Sequence, residues 1–144
     1  MAGAVRVTGY ILIGLVLVFA AYVRLAPSDI GRWHASPKAE GPWGEVVAGD
    51  GWATLRLTDP ARTPAALLAA LDAVAVATPR TVRLAGSPET GRITWVTRSA
   101  LWGFPDYTTA EAREDGVYVF ARLRFGRSDM GINAARLKDW QARL

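Results

Sequence analysis

Between Arg6 and Arg24 runs VTGYILIGLVLVFAAYV, 17 residues without a charge. Coiled into a helix at about 1.5 Å per residue, it reaches about 26 Å, at the short end for a hydrocarbon core of about 30 Å. Tyr10 and Tyr22 fall near its two ends, where amphipathic rings favour the interface, and Arg6 and Arg24 can extend towards head groups. The run has no polar face, which argues against a helix buried in a soluble domain. Residues 7–23 are therefore expected to meet a membrane, with residues 1–24 as an anchor. The alternative is a removed signal peptide, with Val18 and Ala20 as small residues permitting cleavage after Ala20.

The charge of the remainder bears on partners. The chain has 17 Lys+Arg against 13 Asp+Glu; with Arg6 and Arg24 set aside, 15 basic groups face 13 acidic ones. That near balance gives no general case for nucleic acid, whose binders gather a basic stripe. One histidine, His34, and no cysteine exclude a disulfide framework, a thiolate centre and any multi-histidine metal site. A serine nucleophile would need His34 as base, and a Ser-Lys pair would need Lys38 or Lys138, the two lysines present. No cofactor is called for.

Residues 25–51 hold Pro27, Pro37, Pro42 and five glycines with no sustained period, and read as a juxtamembrane linker. Its Trp33 and Trp43 suit either the bilayer surface or packing beneath the domain. From Trp52 the pattern alternates, Ala53, Leu55 and Leu57 against Thr54, Arg56 and Thr58, predicting a half-buried strand. Thr63 and Pro64 suit the cap and first position of a helix over Ala65–Ala77, closed by Pro79. Val82 and Leu84 resume alternation, and Ser87–Gly91 turn the chain into Ile93–Val96. Tyr107–Glu114 and Val117–Arg124 flank Asp115-Gly116 as a hairpin. Ser128 or Asp129 caps a last helix, about Gly131–Arg143, with Ile132, Leu137 and Trp140 facing inward. The fold expected for residues 52–144 is α+β, one antiparallel sheet of about five strands with two helices on one face.

Two segments depart from this generic pattern, Arg98-Ser99-Ala100-Leu101-Trp102-Gly103-Phe104-Pro105-Asp106 and Arg122-Leu123-Arg124-Phe125-Gly126-Arg127-Ser128-Asp129-Met130-Gly131-Ile132-Asn133. They resemble the bacterial domain-of-unknown-function family 1499 (DUF1499). The opening Tyr22-Val23-Arg24-Leu25-Ala26-Pro27-Ser28-Asp29, with Arg32-Trp33-His34, is similar to its membrane-anchored proteobacterial branch. Where the family often has serines this chain has Ala121 and Leu123, and Tyr107 stands where a second acid is common. The resemblance implies a fold and an anchor in a bacterial inner membrane, and no reaction. Flanking charge, with Arg24, Arg32 and Lys38 behind the run, leans towards a cytoplasmic domain. An apolar run six residues from the start resembles an export signal and a cysteine-free chain suits an oxidising compartment, so the periplasmic side is preferred.

In an extended strand Arg122 and Arg124 share a face. With Arg98, Arg127, Ser128, Asp129 and Asn133 they form a candidate anion or partner surface, completed by the N-terminus of the last helix. The competing reading has Asp106, Glu111 and Asp129 neutralise those arginines internally. Trp95, Trp102, Phe104 and Asp106 are a candidate groove, or else core. The function expected is a noncatalytic, membrane-anchored binding or accessory module for a protein or anionic lipid. The alternative is a hydrolase-like enzyme on an anionic or lipid substrate, using Asp106 or Asp129, which requires a deep pocket around those acids.

Overall fold

The computed structural model describes residues 2–144; Met1, the first residue of the expected anchor, lies outside them. Helix α1 (Ala2–Leu25) contains the apolar run, and Gly3–Leu25 is long and apolar enough to cross a membrane. A single turn, α2 (Ile30–Trp33), follows, opened by the side chain of Asp29, which accepts from the Arg32 N–H. Then come β1 (Val47–Gly49), β2 (Trp52–Leu57), α3 (Pro64–Val76), β3 (Thr81–Ser87), β4 (Arg92–Arg98), β5 (Pro105–Arg113), β6 (Gly116–Leu123) and α4 (Ile132–Ala142).

The six strands form one antiparallel sheet in the order β1-β2-β6-β5-β4-β3. Helix α3 carries the chain from β2 to the far edge, and the β3–β6 meander returns to pair with β2. The sheet has one strand more than expected, because β1 is three residues long, too short for alternation to register. The other edge strand, β3, carries a register shift between Arg83 and Ala85. Such a bulge twists an exposed edge away from foreign pairing.

Alternation sorts the side chains into two faces. Ala53, Leu55 and Leu57 of β2, Ile93 and Trp95 of β4, Ala110 of β5 and Val117, Val119 and Ala121 of β6 face the helices. They bury against Leu67, Leu68, Leu71 and Ala75 of α3 and Leu137 and Trp140 of α4. Thr63 caps α3, its hydroxyl accepting from the Ala66 N–H at 3.2 Å, with Pro64 in the first position as the sequence predicts. Asp72 is buried on this helix because its oxygens are satisfied: Trp95 Nε1 donates at 2.9 Å and Arg83 closes a two-pronged ion pair.

The opposite face is covered too, and here the structure departs from the expected linker. Residues 26–46 run across it as a strap. Trp33, 5% exposed, stacks on Tyr107 at a centroid distance of 3.9 Å, with Val96 and Leu84 beside them. Trp43 stacks on the Arg56 guanidinium, 4.0 Å away. Gly86, at φ +77°, has no room for a Cβ, which would run into the Arg92 carbonyl of β4 and stand 2.8 Å from the His34 ring of the strap. The strap showed no period because it docks as irregular backbone through a few scattered side chains.

Two local expectations need correction. The hairpin turn is Glu114–Asp115, and Gly116 is already paired with Arg113 in β6. Its lack of a Cβ lets β6 lie close to Trp43, whose ring atoms would be 2.7 Å from one. Ile132 is 48% exposed, while Asn133 is fully buried in its place. The left-handed pair Met130 (φ 53°) and Gly131 (φ 80°) rotates the start of α4 by one position.

Trp33→Ala should therefore cost about 3 kcal/mol, as removal of a buried aromatic does, and loosen the strap so that trypsin cuts faster at the surface residues Arg32 and Lys38. Thermal unfolding and limited digestion in detergent measure both; unchanged stability would restore a free linker.

Candidate functional site

The arginines singled out in the sequence divide between two places. Arg122 and Arg124 do share a face, but it is the strap's face, opposite α4. Arg122 Nη2 donates to the Trp33 carbonyl at 2.8 Å, and Arg124 Nη1 donates to the Pro27 carbonyl and the Tyr107 hydroxyl, each at 3.1 Å. Burial, with Arg32 nearby, pulls Arg122 below the usual guanidinium value. Strap carbonyls and the Tyr107 hydroxyl take the hydrogen bonds of these two groups, and none of the acids expected to oppose them pairs with either among the described residues. Glu111 instead binds Arg92 and Arg113 and accepts from Ser36 of the strap at 2.5 Å. Burial would raise its pKa, but Ser36 and the two arginines hold it below the ordinary glutamate value. His34 packs here as well, its Nδ1 2.9 Å from the Thr94 hydroxyl.

Asp129, Asn133 and Asp106 gather on the helix side, at the end of the sheet beside α4. Gly131 is the N-cap residue of α4, and Asp129, two residues ahead, caps the helix in its stead, its two oxygens accepting from the N–H groups of Gly131 at 3.1 Å and Asn133 at 2.8 Å. Burial opposes its ionisation, yet those donors prevail and hold its pKa below the ordinary value. Ser128 Oγ accepts from the Met130 N–H, a turn contact with no base beside it. Asp106 Oδ2 meets Arg136 Nη2 at 3.1 Å, and Arg136 Nη1 donates to Asn133 Oδ1 at 2.6 Å. Burial pushes the Asp106 carboxyl above its ordinary pKa; Arg136 opposes that, and the charge of Asp129 adds to it. Asn133 Nδ2 and Thr108 Oγ1, on α4 and β5, are buried without partners.

Above this cluster lies a cavity of about 810 Å³, within the range of about 300–1,000 Å³ usual for small-molecule sites. Asp106, Asp129 and Arg136 line it, with Arg98 from the end of β4, Phe104 and Phe125 from the loops and Phe19 from α1. Its wall thus joins the domain to the anchor helix. Phe19 meets Phe104 edge-on at 6.2 Å, and Tyr22 meets Phe125 at 6.0 Å. Arg98 Nη1 donates to the carbonyls of Gly103 at 2.9 Å and Val23 at 3.4 Å, and Arg24 Nη2 donates to Leu101 at 3.1 Å. A second, smaller space of about 350 Å³ separates Trp102 and Phe104 from Leu12, Leu15 and Val16 of α1.

Of the candidate groove, Trp95 is core, packed edge-on against Trp140, while Trp102, Phe104 and Asp106 do border these cavities. Arg127 is exposed, does not line the cavity and forms no ion pair among the described residues. Arg136 escaped the sequence reading, although its position three residues after Asn133 and four before Trp140 puts it on the inward side of α4.

Fold and site together define a single α+β module seated on an apolar helix of membrane-crossing length. The chain belongs to the family described as "Protein of unknown function (DUF1499)", whose model matches residues 48–144. No curated protein matches it.

Asp129→Ala should cost about 1–2 kcal/mol at neutral pH by loss of the cap. The folded pKa of Asp129 lies below the unfolded one, so the ionic part of this contribution is complete above the ordinary aspartate range. It is lost as pH falls through the lower folded value. Urea unfolding of both proteins should show the gap narrowing in acid; a gap constant with pH would contradict the assignment.

Proposed function

We propose that this chain is a noncatalytic binding module anchored in a bacterial inner membrane by α1, as in the membrane-anchored proteobacterial branch it resembles, with the cavity at the foot of α1 as its ligand site. The observation that carries the reading is the shared wall. Phe19 of the apolar helix and Phe104, Phe125 and Ile132 of the domain face one space whose floor is an ion pair, Asp106 with Arg136. A concave apolar space with few convergent polar groups is the form a small-ligand site takes.

Retention of the helix is supported by its packing. Phe19 meets Phe104 edge-on at 6.2 Å, and α1 continues unbroken through Ala20 to Leu25. Cleavage after Ala20 would remove Phe19 from the cavity wall. The periplasmic side is supported by a composition without cysteine, which suits an oxidising compartment. Arg98 remains with the proposed ligand site; Arg122 and Arg124 hold the strap.

A hydrolase-like enzyme on an anionic or lipid substrate is the second reading. It is favoured by one observation, a carboxyl at Asp106 that burial holds above its ordinary pKa and that borders a cavity. Against it, Arg136 already engages that carboxylate.

Ala135 lines the cavity from the exposed side of α4, so Ala135→Trp fills the space without touching the core. Mass spectrometry of the protein purified in mild detergent should find a ligand that Ala135→Trp loses, an N-terminus that retains residues 2–20, and no turnover by wild type. Conversion of the ligand by wild type, with unconverted ligand retained by Asp106→Asn, would establish the enzyme instead. An active alkaline phosphatase fused to the C-terminus should report the periplasmic side; a fluorescent cytoplasmic fusion there would reverse it.

A further inference from the structure

The cavity changes character along its length. Beside α1 its rim is aromatic, Phe19, Phe104 and Phe125, with Phe104 and Phe125 6.1 Å apart, and Met130 on the lip is 88% exposed. A soluble surface seldom leaves so much apolar side chain together in water. At the Leu101-Trp102 tip, 76% and 43% exposed, Trp102 faces Leu12 and Leu15 of α1 across the smaller space. Leu15 precedes Arg24 by about 14 Å of helix, at about 1.5 Å per residue. A helix that crosses a bilayer therefore carries this tip into the hydrocarbon edge and sets the cavity mouth at the level of the head groups.

Deeper in, the charges are unequal in their commitments. Asp106 is held by Arg136 at 3.1 Å, Asp139 by Arg143 at 3.2 Å, and Asp129 by the N–H groups that open α4. Arg80 and Arg98, both in the wall, meet no carboxylate among the described residues. Their hydrogen bonds go to carbonyls: Arg80 Nε donates to Arg98 at 3.1 Å, and Arg98 donates to Gly103 at 2.9 Å. The two residues adjoin, Arg80 just ahead of β3 and Arg98 at the end of β4, where the Arg98 N–H donates to the Arg80 carbonyl at 2.9 Å.

We propose that the cavity takes the head group of one anionic phospholipid from the leaflet in which α1 stands, its phosphate between Arg80 and Arg98 and its acyl chains leaving past Phe19, Phe104 and Phe125 into the bilayer. Guanidinium groups match phosphate oxygens with charge-assisted hydrogen bonds, and two of them without a competing carboxylate favour a negative net head group over a zwitterion. The chains stay in an apolar medium throughout, so only the head group exchanges its surroundings. Entry is lateral, through the aromatic rim. This inference rests on reading the cavity as a ligand site.

The test uses the full-length protein in nanodiscs of phosphatidylcholine alone, of phosphatidylcholine with phosphatidylglycerol, and of phosphatidylcholine with soluble glycerol phosphate added, followed by release into native mass spectrometry. One phosphatidylglycerol should stay bound per chain, with phosphatidylcholine and glycerol phosphate absent. Arg80→Gln should lower retention about tenfold, the effect of losing one charge-assisted hydrogen bond. Ala100→Glu, which adds a negative charge to the wall, should lower it independently should Arg80→Gln fail to fold. Equal retention of both lipids, or retention unchanged in either folded variant, would overturn the lipid assignment, as would glycerol phosphate bound alone. A different molecule lost only from Ala135→Trp would overturn it while leaving the binding module intact. Identical spectra from wild type and Ala135→Trp would overturn both.

Discussion

Five guanidinium groups standing on one face of the sheet, those of Arg56, Arg92, Arg113, Arg122 and Arg124, donate to backbone carbonyls of the segment between Pro27 and Gly41. An irregular segment laid on a sheet carries polar backbone that no ladder satisfies, and leaving it unpaired under cover is costly. Arginine suits the task because its donors fan out in a plane while its stem and face pack on rings. Arg56 between Trp43 and Tyr118, and Arg122 over Trp33 and Phe120, show both uses at once. The strap is consequently fixed in place, and with it the direction in which α1 leaves the domain.

The cavity follows from that direction. Because α1 leaves beside the 99–104 loop, Arg98 and Arg24 can reach across to carbonyls on the other side of the junction, and Phe19 and Tyr22 find ring partners in Phe104 and Phe125. The space between is walled partly by a helix built for lipid and partly by the end of a soluble sheet. An apolar rim and a polar floor are what such a junction produces. The floor stays polar without unravelling because Arg136 pairs with Asp106 and donates to Asn133 Oδ1, and because the N–H groups that open α4 hold Asp129.

Much of the helix-side half was legible from local signals. The alternation from Trp52, the Thr63-Pro64 start of α3 and the Asp129 cap each depend on residues a few positions apart, where propensity and hydrogen-bond chemistry act directly. The family likeness in the segments around Arg98 and Arg124 is likewise matched over residues 48–144. The strap half was not legible. Its contacts join residues 26–44 to residues as far as 60 to 98 positions away, such as His34 with Thr94 and Arg124 with Ala26, and no period in the segment announces them. The same cause misdirected the arginines. Arg122 and Arg124 were rightly placed on one face, but which face could be known only once the strap was seen to cover it. Asp72, the one charge in the apolar α3, and Arg136, one of three charges on α4, escaped notice because a helix charge looks solvent-facing until its partners, Trp95 with Arg83 and Asp106, are in view.

Everything proposed for the cavity depends on α1 being held rigidly against the domain. The chain has no cysteine, so a pair introduced as Phe19→Cys and Phe104→Cys supplies its only thiols. In native membranes a short bifunctional maleimide should join the two within one chain, giving a species of unchanged mass class that runs faster on a denaturing gel. A Val7→Cys, Phe104→Cys control should not react in this way. Efficient joining of the first pair alone is the result a fixed junction predicts; equal and weak joining of both would mean that the domain swings free of its helix, and that no shared cavity exists.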